Sequence, residues 1–74
     1  MAVETLDTTH LHRASAILKI AAKSVSMKKG DILEVIGSSF TFTSDVQAWC
    51  EKSKKKYLFY LDSENNTVKC HIHI

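Results

Sequence analysis

The sequence predicts an α+β two-layer sandwich, a mixed four-stranded sheet with two helices on one face. Three observations predict it. The apolar period switches between about two and 3.6 residues in the order β-α-β-α-β-β. The last eight residues alternate strictly, with Val68, Cys70, Ile72 and Ile74 against Lys69, His71 and His73. A chain of 74 residues has only two helical segments, too few to cover both faces of a four-stranded sheet.

The elements follow in order. Residues 2–6 form a short strand carrying β-branched Val3 and Thr5. Over 13–25, Ala14, Ile17, Leu18, Ala21 and Val25 recur at helical spacing, opposite Lys19 and Lys23. Lys28-Lys29-Gly30-Asp31 makes a turn in which Gly30 can take a positive φ. Residues 31–37 form a buried strand, with Leu33 and Val35 on one face and Ile32 and Ile36 toward the other. A strand-helix-strand unit of this kind pairs its strands in parallel.

The second helix is entered through 38–44. Ser44 and Gln47 have capping-box spacing, and Ser39 offers a start one turn earlier. Val46, Trp49, Cys50 and Ser53 share one side of this helix. Residues 57–61 form an aromatic strand, 62–66 a turn-rich loop, and 67–74 the closing strand.

Length and composition describe one domain over 1–74, near the lower size for a core without staples. No apolar run is long enough to span a membrane, and residues 1–4 are too short and polar to open a secretory signal peptide. Cys50 and Cys70 lie in apolar patterns and lack Cys-x-x-Cys spacing, so reduced buried thiols and a cytoplasmic location are expected. The net charge is +2, with Lys52, Lys54, Lys55 and Lys56 gathered at the end of the second helix. Lysines there complement the helix dipole, and they could also face an anion or an acidic partner.

Candidate sites are few. No Ser/His/Asp, paired-carboxylate, P-loop or dinucleotide signature is present. His71 and His73 share a strand face but lack further ligands at metal-binding spacing, so no metal and no cofactor are expected. With Lys69 they form a cationic row on the uncovered sheet face, suited to a partner contact. His10, His12 and Arg13 stand beside the backbone donors of a helix N-terminus, a cradle for an anion or a partner's carboxylate.

Three stretches carry a resemblance: Leu6-Asp7-Thr8-Thr9-His10-Leu11-His12-Arg13-Ala14-Ser15-Ala16-Ile17, Met27-Lys28-Lys29-Gly30-Asp31-Ile32-Leu33-Glu34-Val35 and Asp45-Val46-Gln47-Ala48-Trp49-Cys50. In order and spacing, over essentially the whole chain, they resemble the TusA/SirA-like family of small sulfur-carrier proteins. That family opens its first helix with Cys-Pro-x-Pro, whose cysteine carries a persulfide. Here those positions are Arg13, Ala14, Ser15 and Ala16. Further departures are His10 and Lys54 where the family has glycine, and Ser39 where it has aspartate.

The resemblance implies the same sandwich and partners of the sulfur-relay type, namely cysteine desulfurases and sulfur acceptors. Arginine has no nucleophile, so persulfide chemistry at position 13 is excluded. The reading is a non-catalytic partner-binding protein rather than an enzyme. Two alternatives stay open. One is a sulfur carrier working through Cys50 or Cys70. The other is a small anion- or RNA-binding module using His10, His12, Arg13 and the lysine cluster, with nucleic acid disfavoured by the low net charge and the lack of a known motif.

Overall fold

The computed structural model describes residues 2–38, 40–62 and 66–74. The chain runs β1 (Val3–Asp7), α1 (Arg13–Ser26), β2 (Ile32–Gly37), α2 (Phe42–Ser53), β3 (Lys56–Asp62) and β4 (Val68–His73). The sheet order is β1-β2-β4-β3, with β1 and β2 parallel and the other two pairings antiparallel. Both helices cover one face, giving the two-layer sandwich. The possible helix start at Ser39 and most of the 62–66 loop lie outside the described residues.

Alternation sets which side chains meet the helices. Leu33 and Val35 of β2 stand opposite Ile72 and Cys70 of β4, and all four are fully buried. Ala16 and Ile20 from α1, with Phe42, Val46 and Cys50 from α2, complete this core. Leu6, Ile17, Trp49 and Tyr57 pack around its margin. Burying each large aliphatic side chain contributes about 1.5–3 kcal/mol.

The face of α1 differs from the expected one. Leu18 and Val25 are 71% and 85% exposed, and Ala14 is exposed too. The stripe against the sheet is Ala16, Ile20 and Ser24, with Ile17 half-buried. Ser24 is the reason the pattern misleads. Its hydroxyl donates to the Ala21 carbonyl at 2.8 Å, so a polar residue sits in the buried stripe without an unmet hydrogen bond.

The start of α2 also differs. Thr41, not Ser44, precedes the first helical residue, and Ser44 lies exposed inside the first turn. A turn forms earlier, because Thr43 bonds the Phe40 carbonyl through both its backbone N–H and its hydroxyl. The Phe42 ring then lies directly on Gly37, where a Cβ would collide with it. At its other end α2 closes on Lys54, which adopts the left-handed conformation (φ 60°, ψ 32°).

Asp31 ties down the end of the sheet where β1 and β2 start. Its carboxylate accepts from the backbone N–H groups of Ala2 (3.1 Å) and Lys28 (3.0 Å), which hold its pKa below the ordinary aspartate value. Gly30 (φ 98°) permits the turn between α1 and β2, and its N–H donates to the Ile74 carbonyl at 3.0 Å.

The contact at Gly37 has a measurable consequence. Gly37→Ala should destabilise the protein by about 1–3 kcal/mol, as overpacking does, because Phe42 must leave the core edge or β2 must shift. Urea denaturation checks this; an unchanged midpoint would show that the ring has room to move.

Candidate functional site

Arg13 is the first residue of α1, and it does not face an open anion cradle. Its Nε and Nη2 donate to Asp45 Oδ2 and Oδ1 at 2.7 and 2.5 Å, a two-bond fork reaching the first turn of α2. The Asp45 carboxylate, mainly through these hydrogen bonds, raises the Arg13 pKa above its ordinary value. The pair solves two electrostatic problems at once. Asp45 places negative charge at the start of α2, and Arg13 swings away from the positive end of α1. His10 and His12 are exposed, and His12 makes no side-chain cap on α1. The three residues expected to gather round an anion are therefore not a focused cationic site.

Beside the ion pair runs a groove of about 560 Å³ between the two helices. Ile17, Leu18, Ala48 and Trp49 form its apolar lining, the Arg13–Asp45 pair borders it, and Lys52 supplies a cation on α2. The exposed residues Ala14 and Leu18 of α1 belong to this groove. Their apolar spacing is therefore visible in the sequence, but it describes a surface channel rather than the core.

The two thiols are free and buried. Desolvation, with a smaller contribution from Cys70, pushes Cys50 up to about 11. Burial also raises Cys70, against a hydrogen bond from the Tyr57 hydroxyl at 3.9 Å. Tyr57 is raised by the same burial and by the neighbouring thiols. A thiol of this kind stays protonated near neutral pH and is a poor nucleophile.

On the uncovered sheet face the structure corrects the expectation for His71. Lys69, His71 and His73 do point away from the helices, yet His71 is only 8% exposed while His73 is exposed. Four strands contribute one row across the sheet. Thr5 donates to Glu34 at 3.3 Å, Glu34 meets His71 Nε2 at 3.0 Å, and Phe59 stacks on the imidazole at 4.3 Å. With Glu34 ionised, Nε2 carries the proton and Nδ1 is left buried with no hydrogen-bond partner. Phe59 reaches this face because β3 shifts register between Tyr57 and Phe59. No periodicity argument from the sequence foresees that shift.

The lysines form a separate group. Lys54, Lys55 and Lys56 lie where α2 ends and β3 begins, and they share a pocket with Lys29 and His73. Arg13 is at the start of α1, whose 14 residues span about 21 Å. The two halves of the expected anion-binding set therefore stand at opposite ends of the fold. Among the described residues no group of three His, Cys, Asp or Glu side chains is placed to hold a metal, and no helix is long and apolar enough to cross a membrane. No protein-family model, curated protein or solved structure matches the chain.

The buried thiols generate a pH dependence. A cysteine whose pKa is raised on folding adds stability below its unfolded pKa, near 9, and loses it as pH rises toward 11. The urea midpoint should therefore fall between about pH 8 and about pH 10.5, and the fall should flatten in Cys50→Ala/Cys70→Ala. At neutral pH, native thiol labelling should proceed no faster than global unfolding. His71→Ala should cost about 1–3 kcal/mol, since it leaves Glu34 and the Phe59 face unpartnered, whereas His73→Ala should be nearly neutral. Equal effects of the two histidine changes on denaturation would argue that the Glu34–His71 pair is not formed in solution.

Proposed function

We propose that this protein is a non-catalytic, TusA/SirA-like binding module that docks a protein partner of the sulfur-relay type and carries no sulfur itself. One observation carries the reading. The position at which the resemblance places a reactive cysteine is Arg13, and its guanidinium is engaged by Asp45 at the mouth of an apolar interhelical groove. The ion pair stands where a nucleophile would need to be free. The groove beside it offers apolar surface for a partner's side chains, with Lys52 available to a carboxylate.

The carrier alternative is disfavoured by the chemistry of the thiols. Sulfur loading requires a thiolate that can reach a persulfide donor, and both Cys50 and Cys70 are buried with raised pKa values. RNA binding through the aromatic strand is also poorly served. Phe59 covers His71 on one face and Tyr60 packs edge-on against Phe40, so these rings do not form one stacking platform.

Titration calorimetry against a cysteine desulfurase and against a sulfur-acceptor protein tests the reading. One of them should bind. Leu18→Glu with Ala48→Glu should weaken that complex about tenfold or more, as loss of a buried apolar contact does, while the circular dichroism spectrum is unchanged. Incubation with the desulfurase and cysteine should add no sulfur. A mass gain of about 32 Da on Cys50 or Cys70 would install the carrier reading instead, and failure of both proteins to bind would overturn the docking reading.

A further inference from the structure

We propose that the pocket at the C-terminal ends of the two helices is a binding site for a small polyphosphate, an anion carrying two or more linked phosphate groups. This site is distinct from the interhelical groove and goes beyond the docking function. Lys29, Lys54, Lys55 and Lys56 line a single cavity of about 490 Å³, with His73 at its edge and Val25, Met27 and Ile74 as its apolar wall. The cavity is of a size that takes a small molecule rather than a macromolecular surface.

The charges in this cavity are uncompensated. Among the described residues, the cations that pair with carboxylates are Arg13, Lys23 and His71, none of which lines this cavity. Among the described residues, none of the four pocket lysines has an Asp or Glu carboxylate within ion-pair distance. A terminal carboxylate on Ile74 would offset one of the four. Like charges gathered round a concave surface repel one another and raise the local concentration of anions. The helices point their negative C-terminal ends this way, which makes a few lysines tolerable but does not account for four round one cavity.

Lys54 adds a second, independent indication. It is the residue that closes α2 in the left-handed conformation, with φ 60°. Glycine adopts that conformation without the Cβ clash that a lysine meets. The fold thus keeps an ammonium group at a position where the backbone favours a residue without a side chain. A lysine set against a backbone preference, and lining a cavity, points to use rather than stability.

The donor chemistry selects the ligand class. Primary ammonium groups act as point charges toward phosphate oxygens, whereas planar carboxylates are better matched by the guanidinium fork. This pocket has no arginine, since the chain's single arginine is at its other end. Four cations in a small volume are matched by the dense charge of a phosphate chain. No Phe, Tyr or Trp lines the cavity, and its one ring is the His73 imidazole, so it lacks the row of stacking platforms of a single-stranded nucleic-acid site. The apolar wall leaves room for the body of an organic polyphosphate.

Titration calorimetry with inorganic tripolyphosphate, a nucleoside triphosphate and sulfate tests the proposal. Tripolyphosphate should bind with one-to-one stoichiometry, and sulfate at least tenfold more weakly. Lys29→Glu and Lys56→Glu should each weaken binding about tenfold, the scale of one charge-assisted contact, while Lys19→Glu, on the exposed face of α1, should not. Lys54→Gly should weaken binding yet melt at an equal or higher temperature, because it relieves the left-handed strain. Tighter binding of the nucleoside triphosphate would identify an organic polyphosphate as the source, and equal binding the inorganic chain. The proposal falls if sulfate binds as well as tripolyphosphate or if the pocket variants bind as wild type. It also falls if Lys19→Glu weakens binding as much as they do, or if affinity for a single-stranded oligonucleotide grows with its length and exceeds that for tripolyphosphate.

Discussion

Two helices lie against a sheet of four strands, and they can dehydrate only one of its faces. The inner row of β4 satisfies that geometry with Val68, Cys70 and Ile72, in the middle of the sheet between β2 and β3. The outer row cannot be apolar throughout without leaving a large sticky surface, nor fully charged without repulsion across neighbouring strands. The chain's answer is a row in which each side chain covers or bonds the next: Thr5, Glu34, His71 and Phe59, one from each strand. His71 is thereby buried on a face that no helix covers. Its unpartnered Nδ1 is the residual cost of building an interior-like contact there.

The placement of carboxylates divides the surface into regions with different roles. Glu4 joins Lys23 at 2.6 Å and ties β1 to α1, Asp45 joins Arg13 and ties α2 to α1, and Glu34 joins His71 and ties β2 to β4. The Glu4–Lys23 and Arg13–Asp45 pairs are partly exposed and add little stability, so their value is geometric, whereas the Glu34–His71 pair is largely buried. They fix how neighbouring elements meet. The Arg13–Asp45 pair also neutralises the end of the molecule at which α1 and α2 begin, while four lysines line the cavity where both helices end.

Much of the fold was legible because its signals are local. Strict alternation in β4 identifies the buried row correctly to the last residue, and Leu33 and Val35 stand where their strand pattern puts them. Of the helical side Val46, Trp49, Cys50 and Ser53, Val46 and Cys50 are buried in the core, while Trp49 and Ser53 are half-buried at its margin. What failed to show in the sequence depended on groups distant along the chain. Leu18 and Val25 count as core residues in a periodic pattern, yet Ser24 takes the buried place because its hydroxyl is satisfied within the helix. The burial of His71 requires Glu34 and Phe59 from two other strands, and the register shift in β3 that delivers Phe59 has no local signature. Arg13 could be marked as a site residue, but its partner lies 32 positions away and converts a presumed anion contact into an internal pair.

That conversion bears on how a charged side chain can stand at a helix start. A cysteine at a helix start is activated by unpaired N–H groups and by the positive end of the dipole. Arginine at the same place is repelled by both, unless a carboxylate draws it off. Asp45 does so from the first turn of α2, and in reaching it the guanidinium spans the opening between the helices. The favourable position of Asp45 and the unfavourable one of Arg13 thus resolve in a single contact. The field of the helix end itself persists; the contact neutralises only the arginine, and the adjoining apolar channel stays open. The shape of the channel depends on Ile17, Leu18, Ala48 and Trp49 holding their positions, and the ion pair beside them does part of that holding by joining the two helices that supply them.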